Sequence, residues 1–310
     1  MTKLAGSPDT TVRTLRARRA IAAHFAALAC WALLATSAWA APAAPPAPAT
    51  IAAPPAPIWK AYALRYATIR GFPVHELVAG ADTARTTDIA MMFWLLEGPG
   101  GRQVLVDAGF YRKQFLTAWK PAEFVRPSDV VRRVGLPPEE VTDVIVSHVH
   151  WDHLDGADLF PKARIWIQKE EYEYYVGAKG EPLHGAIDTV DAAMLANLHA
   201  AGRVELVAGD SVEILPGLTV YTGGKHTYAS QYVGVQTVAG CVIVASDNVY
   251  LFENLEKHAA IAQTLDAKSN LAAQERMRRL AAAERLIVPG HDPAVFKHFR
   301  EIAPGIAKIE

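Results

Sequence analysis

His148-Val149-His150-Trp151-Asp152-His153 places four potential metal ligands within six residues, directly after the apolar run Val144-Ile145-Val146. Neutral imidazole and carboxylate are the usual protein ligands for zinc and its neighbours in the first transition row. In an extended segment alternate side chains share a face, so His148 and His150 can reach one ion together. Asp152 and His153, beyond the turn, point elsewhere and are candidates for a second ion. Ordinary surface or core histidines would have to account for all four residues at once. The motif therefore reads as a metal site whose confirmation lies in its context.

The context consists of further ligand-type residues, each just after a short apolar run. His226 follows Leu218-Thr219-Val220-Tyr221 and a Gly223-Gly224 pair, and Asp247 follows Cys241-Val242-Ile243-Val244. His291 follows Leu286-Ile287-Val288 and the turn pair Pro289-Gly290, and Asp107 follows Val104-Leu105-Val106. Short apolar runs bounded by turn residues read as buried strands. Side chains on loops at strand ends are how a rigid sheet gathers distant residues into one site.

The motif His148-x-His150-x-Asp152-His153, followed in order by His226, Asp247 and Pro289-Gly290-His291, resembles the metallo-β-lactamase superfamily over roughly residues 60 to 300. The resemblance implies an αββα sandwich, two facing mixed sheets with helices outside. It also implies two divalent metal ions, zinc expected. His148, His150 and His226 would bind the first, Asp152, His153 and His291 the second, and Asp247 would bridge them. Asp107 matches the family's Asp-x-Gly motif, a carboxylate close to the metals; its alternative is an Asp in a strand-end turn.

The expected organisation is a signal peptide over 1–40, an Ala/Pro-rich spacer over 41–57 and one hydrolase domain over 58–310. Arg13, Arg16, Arg18 and Arg19 make a basic start, Ala20 to Ala38 is mostly apolar, and Ala38-Trp39-Ala40 is a small-x-small cleavage site. An uncleaved anchor fits less well, because the Ala-rich stretch is weakly hydrophobic and barely long enough to span a bilayer. Arg18-Arg19 leaves Sec and twin-arginine export both open. Seven prolines between Pro42 and Pro57 favour extended spacer conformations. A periplasmic or secreted location is expected.

The leader carries five of the 31 basic and one of the 32 acidic residues, which leaves the remainder at a formal −5. No basic run or aromatic-basic platform points to nucleic acid. Cys241 is the one cysteine beyond the leader and reads as a small apolar strand residue. The remaining histidines outside the leader, His75, His184, His199, His258 and His298, read as surface residues.

Strands are expected at 62–68, 91–96, 103–106, 141–146, 163–167, 204–207, 212–215, 218–221, 232–237 and 241–245. Helices are expected at 128–134 with Ser128 as cap, at 169–175, at 187–201, around 251–258, and at 266–283 with Asp266 as cap. About twenty residues follow His291, so no additional C-terminal helical domain of the glyoxalase II kind is expected.

Two ions sharing a carboxylate activate water near neutral pH and polarise a carbonyl or phosphoryl oxygen. The resemblance therefore implies hydrolysis of an ester-like or amide-like bond by a metal-bridging hydroxide. His150 stands where the oxygen-reducing diiron relatives usually carry a carboxylate. Asp247 stands where the zinc β-lactamases carry Cys or Ser. Tyr250, three residues after Asp247, resembles the tyrosine with which N-acyl homoserine lactonases hold the lactone carbonyl; the alternative is a packing residue at a helix start. Intervals of 21 residues from His226 to Asp247 and 44 from Asp247 to His291 are similar to that branch, whereas 73 from His153 to His226 implies an insertion.

The lactonases typically read His-Thr-Pro-Gly-His-Gln at the third ligand. Here the segment is His226-Thr227-Tyr228-Ala229-Ser230-Gln231, so Ser230 replaces the second histidine and the pocket wall changes. Trp151 and Tyr228 are candidates to line an apolar channel. The leading expectation is an exported lactonase with Tyr250 and Asp152 as catalytic residues. Rivals are a broader esterase or phosphotriesterase of the same superfamily and a non-catalytic metal-binding protein. Acyl-chain preference, the metal in vivo and the oligomeric state are not legible in the sequence.

Overall fold

The computed structural model describes residues 57–310; the expected leader and all of the expected spacer but Pro57 lie outside the described residues. In chain order the strands are β1 Lys60–Pro73, β2 Thr86–Glu97, β3 Gln103–Val106, β4 Asp143–Ile145, β5 Arg164–Gln168, β6 Val204–Val207, β7 Val212–Leu215, β8 Leu218–Thr222, β9 Gln231–Thr237, β10 Gly240–Ser246, β11 Ile287–Pro289, β12 Arg300–Ala303 and β13 Ile306–Ile309. The helices are α1 Lys113–Trp119, α2 Pro127–Arg133, α3 Trp151–Leu154, α4 Lys169–Tyr175, α5 Thr189–Ala200, α6 Phe252–Glu256, α7 Ala267–Leu280 and α8 Val295–His298.

The strands form an eight-stranded sheet, β12-β13-β1-β2-β3-β4-β5-β6, and a five-stranded sheet, β11-β10-β9-β8-β7. Both are mixed: β3 to β6 run parallel, as do β10 and β11, and the remaining pairs are antiparallel.

Period-two alternation explains how the layers assemble. Met92, Trp94 and Leu96 of β2 pack with Val242 and Val244 of β10 and with Val233 and Val235 of β9, filling the space between the sheets. The intervening Met91, Phe93 and Leu95 point the other way, against Val130 and Val131 of α2 and Leu195 and Leu198 of α5. On the second sheet Ile243 and Ala245 pack against Ala273 and Met277 of α7. Each fully buried side chain of this size contributes roughly 1.5–3 kcal/mol. The result is the αββα sandwich.

Local signals set most boundaries. Asp266 Oδ1 accepts from Lys268 N and Ser269 N at 3.0 and 3.1 Å, capping α7. The helix expected at 187–201 starts two residues later, where Asp188 accepts from Val190 N. The helix expected to be capped by Ser128 begins at Pro127, with Arg126 in the cap position and Ser128 buried in the first turn. Proline suits that first position because its missing N–H would have no partner there. The β12–β13 hairpin is an addition to the sequence reading: β12 is exposed along its length, while β13 pairs with β1. Among the described residues no helix is long and apolar enough to cross a membrane.

Candidate metal centre

Five strand ends converge on one edge of the sandwich. Asp107 follows β3, the His148–His153 segment follows β4, His226 follows β8, Asp247 follows β10 and His291 follows β11. Tight approach is built into the sequence there. A Cβ added at Gly290 would stand 2.5 Å from Asp247 Oδ1, so only glycine lets the His291 loop lie against that carboxylate. Asp107, Lys225 and Ser246, each in or beside a ligand segment, hold left-handed backbone with φ of 64°, 61° and 46°. Such conformations cost about 1–3 kcal/mol each in non-glycine residues and cluster at functional sites.

The structure brings all seven sequence-derived ligand candidates together in two groups. In the first, His148 Nε2 lies 3.0 Å from His150 Nδ1, and His226 Nε2 lies 3.1 and 2.9 Å from those atoms. Asp247 Oδ2 stands 3.4 Å from His226 Nε2 and 3.7 Å from His148 Nε2. In the second, His153 Nε2 is 3.4 Å from Asp152 Oδ2, and His291 Nε2 is 3.6 Å from it. Asp247 Oδ1 faces this group, 3.3 Å from His153 Nε2 and 3.1 Å from His291 Nε2. The two oxygens of Asp247 thus face different groups.

These atoms fit divalent ions. Donors about 2.0–2.1 Å from a tetrahedral zinc stand roughly 3.3–3.4 Å from one another. His153 Nε2 and Asp247 Oδ1 are buried and have no hydrogen-bond partner, an arrangement that costs free energy unless something else satisfies them.

The imidazoles are aimed from behind. His226 Nδ1 donates to Gln263 O at 2.7 Å and His291 Nδ1 to Ala90 O at 3.1 Å. A carbonyl only accepts, so the proton sits on Nδ1 and Nε2 presents its lone pair to the centre. His153 Nδ1 is 2.8 Å from Asp107 Oδ2, and His148 Nδ1 is 2.9 Å from Ser147 Oγ. Asp107, fully buried, also accepts from Ser147 N, Ser147 Oγ and Ser246 Oγ at 2.7, 3.0 and 2.8 Å.

Electrostatics separate the groups. Burial pushes His148 well below the usual imidazole range and His150 down to about 3, helped in each case by neighbouring imidazoles. Burial likewise lowers His226. These three stay neutral, the ligating form. Burial works to raise Asp247 and Asp152, but His153 and His291 outweigh it and hold both carboxylates ionised. Against its burial, Asp247, Asp152 and Asp107 push His153 up, and Asp247 does the same to His291. A field that favours positive charge between these side chains favours a cation there.

The groups open onto a cavity of about 150 Å³. His150, Asp152, Asp247, Tyr250, Gln263 and His291 form its polar wall, and Ile69, Phe72, Leu77, Ile89, Met91, Trp119 and Trp151 its apolar wall. Among the described residues no lysine or arginine lines it. Tyr250 is buried, with its hydroxyl 3.4 Å from His226 Nδ1. Burial, then the charges of Asp247 and Asp152, push that phenol well above its ordinary value, so it keeps its proton and can donate.

Trp151 both lines the cavity and packs, stacking on Trp119 and Phe115 at 5.0 and 5.1 Å between ring centroids. Tyr228 departs from the channel expectation: it is not a lining residue, and instead stacks on Tyr174 at 3.9 Å. A parallel aromatic neighbour on α4 outcompetes the cavity for its ring. Ser230 is buried with its hydroxyl 3.5 Å from Asn248 Oδ1, outside the cavity lining. His75, His184, His199, His258 and His298 lie outside both groups.

Several site residues were not singled out in the sequence. Gln263 supplies the carbonyl for His226, and Tyr66 donates its hydroxyl to Asp152 O at 3.1 Å. Buried Glu171 contacts both loops of the first group. Ser147 and Ser246 carried a signal, each directly preceding a ligand candidate; Glu171 and Gln263 carried none.

A two-group His/Asp cluster at the edge of an αββα sandwich defines a metallohydrolase architecture. The family model for the metallo-beta-lactamase superfamily matches residues 92–291, and the chain belongs to that superfamily as a metal-dependent hydrolase. An N-acyl homoserine lactonase from Bacillus sp is 28% identical over 222 residues, covering 66% of this chain and 82% of that protein. A solved quorum-quenching N-acyl homoserine lactone lactonase superposes with a TM-score of 0.65 at 22% identity, covering 78% of this chain and 96% of the other. AidC, a dizinc quorum-quenching lactonase, superposes at 0.59 with 16% identity, covering 81% and 94%.

Proposed function

We propose that this hydrolase opens lactones, N-acyl homoserine lactones foremost, at a centre holding two divalent ions, zinc by preference. The carrying observation is the cavity: ligand candidates and Tyr250 on one wall, apolar side chains on the other, and, among the described residues, no lysine or arginine to bind an anionic substrate. It suits a neutral ester ring bearing an apolar tail. The lactonase and dizinc relatives support the same reading.

His148, His150 and His226 would hold one ion, Asp152, His153 and His291 the other, and Asp247 would bridge. When bound, such ions supply a hydroxide nucleophile near neutral pH and polarise an ester carbonyl. Tyr250 donates its hydroxyl to the carbonyl oxygen as negative charge develops there. Asp152, ionised and on the cavity wall, would take up the proton that the attacking water loses and pass it to the departing ring oxygen. The apolar wall orients the tail and excludes water. One water is consumed, the ring C–O bond breaks, and one acid equivalent is released.

A pH-stat assay of the metal-loaded chain against short- and long-chain acyl homoserine lactones, aryl esters and phosphotriesters tests this. Lactones should turn over best. Without lysine or arginine among the described residues, the same cavity also admits a neutral phosphotriester, so faster turnover of that class would move the assignment to the esterase or phosphotriesterase reading. No turnover of any ester by a fully metallated chain would leave only a metal-binding role.

We further propose export, with cleavage after Ala40 and a periplasmic or secreted product. Mass spectrometry of protein from the native host should find an N-terminus at Ala41; an intact Met1 in the cytosolic fraction would refute it.

A further inference from the structure

Glu171, in the first turn of α4, is fully buried, and its hydrogen-bond partners are neutral donors. Oε1 accepts from Val149 N at 3.2 Å and from Thr227 Oγ1 at 2.6 Å, and Oε2 accepts from Ala229 N at 2.6 Å. Burying a carboxylate without a cation beside it is costly, and three donors offset that cost only in part. Burial accordingly pushes Glu171 up to about 7 against the pull of those hydrogen bonds and, more weakly, of the Lys225 charge. An apolar side chain would fill the same space at less cost, so packing alone does not account for it.

The donors account for it better. Val149 lies between His148 and His150, and Thr227 and Ala229 follow His226. These two loops carry every histidine of the first group and come from different sheets, β4 in one and β8 in the other. Helix α4 adds a second tie, because Tyr228 N donates to Tyr175 Oη at 3.3 Å. The second group has a buried carboxylate of its own in Asp107, which touches His153 directly.

The geometry points to Glu171 as the positioning residue of the first metal group: one carboxylate spans the two ligand loops and fixes the separation of His148 and His150 from His226. The inference rests on the two-ion reading of the centre. Glutamine cannot replace it, since an amide has one accepting oxygen and its NH2 would face a donor on one side or the other.

The full chain, loaded with zinc, is challenged with rising EDTA, and zinc per chain is measured by elemental mass spectrometry. Glu171→Gln should surrender one ion at roughly 10–100-fold lower chelator than wild type, with the other ion released as in wild type. In a His291→Ala background, which keeps the first group intact, Glu171→Gln should loosen the remaining ion. Thr227→Val, which keeps the carboxylate and loses one donor, should shift the same ion by less, and it carries the test if Glu171→Gln does not fold. Wild-type retention of both ions in the folded variants overturns the inference. So does equal loosening of both ions alongside a lowered thermal midpoint, the mark of a merely structural role. Fewer than two ions in wild type would instead overturn the two-ion reading.

Discussion

Asp107 Oδ2 lies 2.8 Å from His153 Nδ1 in the buried interior, and three further donors from Ser147 and Ser246 hold that carboxylate still. The pair fixes the ring of His153 and makes its Nε2 a better donor to an ion. Asp107→Asn changes charge with little change in shape, and asparagine tolerates the left-handed backbone that Asp107 adopts. The variant should therefore fold and lose affinity for the second-group ion by roughly 10–100-fold. Zinc retention under chelator measures it, and wild-type retention would sink the assignment.

Asp247 turns Oδ1 toward His291 and Oδ2 toward His226. Its removal disturbs both groups at once, whereas loss of a single histidine disturbs one. Asp247→Ala should lower the metal content below two per chain and nearly abolish hydrolysis. A variant that stays active with one ion fewer would disprove the bridging role.

The ligand candidates were legible because metal chemistry restricts residue type and because each follows an apolar strand marked by turn residues. The facing sheets were legible from the resemblance, since alternation reveals that β2 has two buried faces only once its neighbours are placed. The β12–β13 hairpin escaped because Arg300–Ala303 is only four residues long and exposed throughout, so no buried alternation marks it as a strand. Glu171 escaped for a different reason. Its partners are two backbone N–H groups and a hydroxyl from segments 22, 56 and 58 residues away, and backbone donors leave no trace in side-chain pattern. Tyr228 was misplaced because its stacking partner, Tyr174, is close only in the folded chain.

Asp191 gives a pH prediction remote from the ligands. It sits buried in a cluster where Arg112 pairs with Asp155 and Asp158. Burial first, and then the charge and hydrogen bond of Asp155, push Asp191 up to about 9 from an ordinary 3.8. Between those values the folded chain keeps a proton that the unfolded chain has lost, so this residue's contribution to stability falls as pH rises through that window and levels off above it. Asp191→Asn keeps a donor for Asp155 and has no proton to lose. Its thermal midpoint, followed from pH 5 to 9, should fall less steeply than that of wild type. Parallel curves would show that Asp191 does not titrate in this window.

Tyr250 gives the most direct test of the chemistry. Its hydroxyl stands 3.4 Å from His226 Nδ1, a nitrogen already donating to Gln263 O at 2.7 Å, so no strong internal partner holds the phenol. It keeps its proton because burial opposes the phenolate, and the charges of Asp247 and Asp152 oppose it further. Under the proposed mechanism this neutral donor on the cavity wall, beside the ligand candidates, stabilises charge developing on a bound carbonyl oxygen. Tyr250→Phe removes that donor and leaves the ring in place, so both ions and the fold should be retained. One supporting donor accounts for about 1–3 kcal/mol, so lactone opening should slow by roughly 10–100-fold, mainly in kcat. Acid release in a pH-stat, with zinc per chain measured on the same sample, separates lost catalysis from lost metal. Equal rates for the two proteins would remove Tyr250 from the mechanism while leaving the metal centre untouched.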